Sequence, residues 1–211
     1  MRETNVNLKL AVSAKLFAAA AMLAGCASMP GGDAGWVTLI DGANGLENWN
    51  RIGDANWRAE DGAIVADKGK GGFLVSKNSY KDFQIRAEFW AAPTANSGIY
   101  MRCSDPGTLT DKNCYEANIF DQRPDPTYGT GAIVHHAPVP HNAHKAGGKW
   151  NTYEITVKGS ELTVVLNGVQ TAKVNHEQFK QGPFALQYGT LPPKGEPGGA
   201  IKWRKVQIRA L

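Results

Sequence analysis

The sequence predicts an all-β domain, an antiparallel β-sandwich or jelly roll. Residues 83–90 alternate apolar and polar side chains with period two. Five later runs are rich in β-branched and aromatic residues and are bounded by glycine, proline or asparagine, while no sustained helical period or internal repeat interrupts them. Many short strands joined by glycine-rich turns within one domain imply two packed antiparallel sheets.

The chain opens with Arg2, Lys9 and Lys15 ahead of an apolar run, residues 16–24, that is too short to span a bilayer as a helix but has the length of a signal peptide. The run ends Leu23-Ala24-Gly25-Cys26, which resembles the lipobox of bacterial lipoproteins. Residues 1–25 are then expected to be removed and Cys26 lipidated, placing the protein at the cell envelope, held to the membrane through its lipid alone. The alternative is an ordinary secreted protein. Ala27, rather than aspartate, resembles the sorting pattern for the outer membrane where one is present. Residues 26–35, with Pro30, Gly31 and Gly32, read as a flexible tether. Removing residues 1–25 takes away those three basic residues and Glu3, so the net charge of +4 falls to +2. A nearly neutral chain with no basic stripe argues against nucleic acid. Residues 36–211 show no composition break and form one domain.

Within it, residues 57–60 followed by Asp61-Gly62 read as a strand and a hairpin turn. Residues 83–90 place Phe83, Ile85, Ala87 and Phe89 on a core face and Gln84, Arg86, Glu88 and Trp90 on the other. Strand-like segments 96–102, 115–121 and 130–132 follow. Alternation sets Tyr100 beside Arg102 on one strand and Glu116 beside Asn118 on the next, so an arginine, a carboxylate and amides share one surface suited to a hydroxyl-rich ligand. Between these strands lie Cys103 and Cys114, an even pair expected to form a disulfide in an oxidising compartment, closing a turn-rich loop. Residues 150–158, 162–166, 169–174, 184–188 and 201–209 repeat the strand signal, with Asn167-Gly168 as a strong hairpin turn.

Seven pieces in register resemble the 3-keto-disaccharide hydrolase domain family. They are residues 57–62; Tyr80-Lys81-Asp82-Phe83 with Glu88-Phe89-Trp90; Asn96-Ser97-Gly98-Ile99 with Arg102; Tyr115-Glu116 with Asp121; Thr130-Gly131-Ala132; Trp150-Asn151-Thr152-Tyr153; and Leu166-Asn167-Gly168. The resemblance covers residues 36–211 and implies a concanavalin-A-like jelly roll with a ligand groove on its concave sheet. It also implies a small carbohydrate substrate, a glycoside whose glucose unit is oxidised to a ketone at C3. Such a ketone acidifies the C2 proton, so a base can form an enolate that expels the C1 substituent, and hydration of the enone completes cleavage. This route needs a base, a cationic or metallic partner for the enolate oxygen, and donors or acceptors for sugar hydroxyls.

Glu116 is the first candidate base; its alternative is a groove carboxylate that binds hydroxyls or ties down Arg102. Arg102 either stabilises the enolate or is a structural partner of Glu88 or Glu116. Glu88 belongs to the groove or to a salt bridge, and Trp90 stacks on a sugar or packs at a rim. Asn96, Ser97, Tyr100 and Asn118 complete the substrate-binding set, with strand-entry turn chemistry the alternative for Asn96 and Ser97. Asp121 and Asp125 either hold a hard cation such as calcium or are solvated turn residues. His135 or His136 is a fallback base, since imidazole titrates near neutral pH. Adjacent histidines point to opposite sides of a strand, so at most one faces the groove. Two other classes remain open: an ordinary glycoside hydrolase on the same fold, though the second strand-borne carboxylate it requires is missing, and a noncatalytic carbohydrate-binding surface lipoprotein.

Overall fold

The computed structural model describes Met1 and residues 34–140 and 143–211. The signal peptide, Cys26, most of the tether and His141 lie outside the described residues. In chain order the strands are β1 (Val37–Asp41), β2 (Trp49–Gly53), β3 (Arg58–Glu60), β4 (Ala63–Ala66), β5 (Gly72–Ser76), β6 (Phe83–Ala91), β7 (Ser97–Met101) and β8 (Tyr115–Ile119). There follow β9 (Trp150–Lys158), β10 (Glu161–Leu166), β11 (Val169–Asn175), β12 (Ala185–Tyr188), β13 (Thr190–Leu191), β14 (Glu196–Pro197) and β15 (Ile201–Ala210). One sheet has eight strands, ordered β11-β10-β9-β6-β15-β4-β3 with β1 also on β15, and the other has five, ordered β2-β5-β12-β7-β8. All pairings between these strands are antiparallel. The fold is the sandwich that the sequence predicts.

The alternation of β6 is read out in burial, every second residue from Phe83 to Ala91 being sealed. Phe89 sits at the centre, 5.1 Å from the Tyr153 ring and 5.6 Å from Trp203. Each large apolar side chain buried this way contributes roughly 1.5–3 kcal/mol. Ile99, Met101, Tyr115, Ala117 and Ile119 of the five-stranded sheet close the same core from the other side. Residues 34–211 make one compact unit containing both sheets and the whole core, and so hold what is needed to fold alone. Among the described residues no helix is long and apolar enough to cross a membrane.

Both hairpin turns form as their dipeptides dictate. Asp61 and Gly62 take φ of 48° and 72°, and Asn167 and Gly168 take 51° and 80°, the left-handed pair of a type I′ turn joining β3 to β4 and β10 to β11. Residues 130–132 are a correction, because they form a turn beside β8 rather than a strand, held there as the Asn118 N–H donates to the Ala132 carbonyl and the Gly131 N–H to the Asn118 carbonyl, with the Ala117–Ile133 bridge next to them. The signals at β1, β2, β4 and β5 were not read from the sequence.

Candidate functional site

The site grows on the outer face of the five-stranded sheet, where β7 and β8 pair Tyr100 with Glu116 and Gly98 with Asn118. The inward residues of these strands fill the core, so alternation sends Tyr100, Glu116 and Asn118 outward together. The Gln187 side chain of β12 joins them, its Nε2 donating to the Tyr100 hydroxyl at 3.0 Å. Gly98 is what makes room. A Cβ there would stand 2.9 Å from Glu116 Oε1 and 3.1 Å from its Cγ, so the carboxyl lies across a position that admits no side chain without displacement.

Loops cover this face. Cys103 and Cys114 are joined as a disulfide, and Leu109 of the enclosed loop packs with Tyr100, Val75 and Ala185 over the sheet. Buried beneath them, the Glu116 carboxyl has its pKa raised from 4.5 to about 7. Desolvation is the main cause; Arg123 and hydrogen bonding from Tyr100 favour the ionised form, and Asp111 opposes it. The Tyr100 hydroxyl is pushed well up by burial and then by the Glu116 charge. Arg123 also lines a cleft of about 530 Å³ at the strand ends, with Asn96, Phe120 and Leu191. Two acceptors on the same face, Asn118 Oδ1 and Gln187 Oε1, are buried and unpaired among the described residues. A ligand rich in hydroxyl donors is the chemistry that would satisfy them.

His135 Nε2 lies 2.9 Å from Asp111 Oδ2, which ties the imidazole to the disulfide loop and to the carboxylate acting on Glu116. His136 faces elsewhere, its ring 5.1 Å from Tyr115 and 4.2 Å from His176. The two adjacent imidazoles thus have different neighbours, and His135 takes a left-handed conformation, φ 64°, rather than lying in a strand.

Several expected residues go elsewhere. Arg102 is a correction: β7 ends at Met101, and φ of 51° at Arg102 breaks the alternation and turns the side chain inward. Its guanidinium donates to the carbonyls of Lys81 (2.7 Å), Gly159 (2.8 Å) and Phe179 (3.2 Å) and pairs with Asp82 at 3.1 Å. Glu88 and Trp90 do face outward, but from the eight-stranded sheet on the far side of the sandwich, where Glu88 pairs with Arg204 and Trp90 lies under Lys202. Ser97 points into the interior and donates to the Gln187 carbonyl, and Asn96 braces the Thr190 carbonyl while lining the cleft. The two aspartates expected to hold a cation are occupied. Asp121 accepts from Thr130, Ala146 and Gly147, and Asp125 accepts from Thr127 as the cap of a short 3₁₀ turn. No metal-binding cluster of three or more His, Cys, Asp or Glu occurs among the described residues. Arg123, Asp111 and Gln187 were missed; Gln187 alone had a signal, alternating with the core residues Leu186 and Tyr188.

Comparison with known proteins places this geometry in context. A curated 3-keto-disaccharide hydrolase from Bacteroides thetaiotaomicron is 28% identical over 155 residues, covering 58% of this chain and 52% of that protein, so the chain spans about half the length of this relative. A crystal structure from Parabacteroides distasonis, provisionally described as a glycosyl hydrolase, superposes with a TM-score of 0.66 at 24% identity over 83% of this chain and 99% of that one. A carbohydrate binding module from Bacillus subtilis superposes at 0.53 with 14% identity, covering 83% and 96%. Residues 35–209 match the 3-keto-alpha-glucoside-1,2-lyase-like domain, and the chain therefore belongs to that family.

Proposed function

We propose that this protein cleaves 3-keto-glycosides at the bacterial cell envelope, with Glu116 as the base that removes the C2 proton. The observation that carries this reading is a buried carboxyl held near neutral pH on a sheet face, beside unpaired amide acceptors and a half-buried arginine. A base is most effective when its pKa lies near the working pH, and burial supplies that tuning. The Glu116 carboxylate takes the proton from C2, and the C–H electrons form an enolate whose negative charge rests on the C3 oxygen. Arg123 stands in the role first given to Arg102, a cation facing that charge. The enolate then re-forms the ketone, the C1–O bond breaks with its electrons leaving on the aglycone oxygen, and a C1–C2 double bond forms. The Asp111–His135 pair supplies the proton to the departing oxygen. Water added across the enone completes net hydrolysis. The envelope location rests on the Leu23-Ala24-Gly25-Cys26 segment.

The test compares a glucoside with its 3-keto counterpart, following release of the aglycone and exchange of the C2 proton in deuterated water. Release from the keto compound only, with exchange at C2, is the expected result. Equal release from both substrates would indicate an ordinary glycosidase, and binding without release or exchange would indicate a lectin.

A further inference from the structure

On the opposite side of the sandwich, the outer face of the eight-stranded sheet carries a second polar pocket of about 120 Å³ between β6, β9 and β15. Its lining includes Trp36, Gln84, Arg86, Glu154, Thr156 and Arg209. Two guanidinium groups converge on one indole there, Arg86 Cζ at 4.3 Å and Arg209 Cζ at 4.9 Å from the Trp36 ring centroid. Cation–π attraction favours each contact, yet it gathers two like charges over a single ring. Neither arginine has a carboxylate within salt-bridge distance among the described residues, although exposed Glu154 is the register partner of Arg86. Arg209 is fixed by donating to Gln84, which in turn donates to Thr156 at 3.2 Å. Two donors at this point, Trp36 Nε1 and Arg209 Nε, are buried and without an acceptor among the described residues.

We propose that this pocket binds a phosphate-class oxyanion. Unsatisfied buried donors are costly, and two unpaired guanidinium groups with an indole N–H present donors and positive charge where a tetrahedral, many-acceptor anion would satisfy both. A dipolar sugar hydroxyl would relieve the donors but not the charge. The phosphate group has two natural sources, a lipid headgroup or a free phosphorylated solute. Trp36 stands ten residues beyond Cys26 in the sequence, a separation that spans at most about 35 Å when extended, so a lipid-anchored chain keeps this face within reach of headgroups. The site lies on the sheet opposite Glu116 and is independent of the reaction proposed above.

The test titrates residues 34–211 with inorganic phosphate against chloride at equal ionic strength, following the six tryptophan indole N–H signals by ¹⁵N NMR, with Trp36→Phe assigning the Trp36 signal. A saturable shift of the Trp36 signal is expected, weakened at least about tenfold in Arg86→Gln/Arg209→Gln, with turnover of a 3-keto glycoside unchanged. Trp36→Phe keeps the aromatic platform and removes one donor, so calorimetry on it should show severalfold weaker phosphate binding even if the double variant folds poorly. Sedimentation with phosphatidylglycerol vesicles that exceeds that with phosphatidylcholine, requires both arginines and is competed by phosphate assigns the lipid source. Phosphate saturation without vesicle binding assigns a soluble source. A Trp36 signal that responds equally to chloride, or a response unaltered in both variants, overturns the proposal.

Discussion

Replacing Glu116 by glutamine should stabilise the protein while disabling it, and the gain should depend on pH. The carboxyl titrates at about 7 in the folded chain against 4.5 when unperturbed, so between these values the native state holds a proton that the unfolded chain has released. Stability must therefore fall as pH rises through this window and level off above about 7. The rise corresponds to roughly 3 kcal/mol at pH 8, the order of magnitude set against folding by an ionised Glu116. Glutamine keeps the shape and an acceptor for Tyr100 but carries no charge to desolvate. At pH 8 the variant should gain up to about 3 kcal/mol, or about 6–12 °C in melting temperature for a domain of this size. At pH 5, where the native carboxyl is protonated, the difference should nearly vanish. Urea denaturation at both pH values measures it, and turnover of a 3-keto glycoside should meanwhile drop at least about a hundredfold. A stability change of equal size at both pH values, or a loss at pH 8, would refute the reasoning about burial.

Gly98→Ala should fold but lose turnover, because its methyl group would displace the Glu116 carboxyl from 2.9 Å; a crystal structure with that carboxyl unmoved would contradict this. Arg102→Met should cost on the order of 3 kcal/mol in denaturant unfolding, since it strands three carbonyls and Asp82, yet leave activity per folded molecule near wild type. Replacing Cys103 and Cys114 together by serine should cost roughly 2–3 kcal/mol from the loop that their bond closes. It should also lower turnover by loosening Asp111 beside His135, and urea curves and rates read the two effects separately. Intact mass spectrometry of the mature protein should find a lipid mass on Cys26, and a chain without one would end the envelope-anchor reading.

What the sequence disclosed was local. Asp61-Gly62 and Asn167-Gly168 disclosed their turns because only a few residues tolerate two successive left-handed conformations. Alternation placed Tyr100 with Glu116 correctly because both strands stay regular across that pair. It misplaced Arg102 because one left-handed residue resets the phase, and nothing in an arginine announces that conformation. For Glu88 and Trp90 the face was right and the sheet was wrong, since period two distinguishes the sides of a strand but not which layer it joins. β1 and β2 gave no signal because their exposed edge positions carry little apolar alternation. Arg123 and Asp111 reach Glu116 from loops, and that proximity exists only after the chain has folded.

The placement of β15 bears on when this protein acquires its structure. The last strand in the chain is an interior strand of the larger sheet, flanked by β6 along one side and by β4 and β1 along the other. While the ribosome is still making residues 201–210, β6 lacks that neighbour, and among the described residues β4 retains only β3 and β1 has no strand partner. Because those pairings link distant parts of the chain, closure waits until residues 201–210 have been made. Until residues 201–210 are made the larger sheet thus stays unassembled, and a nonsense codon before Ile201 would leave that sheet divided in two, with its exposed edges open to aggregation.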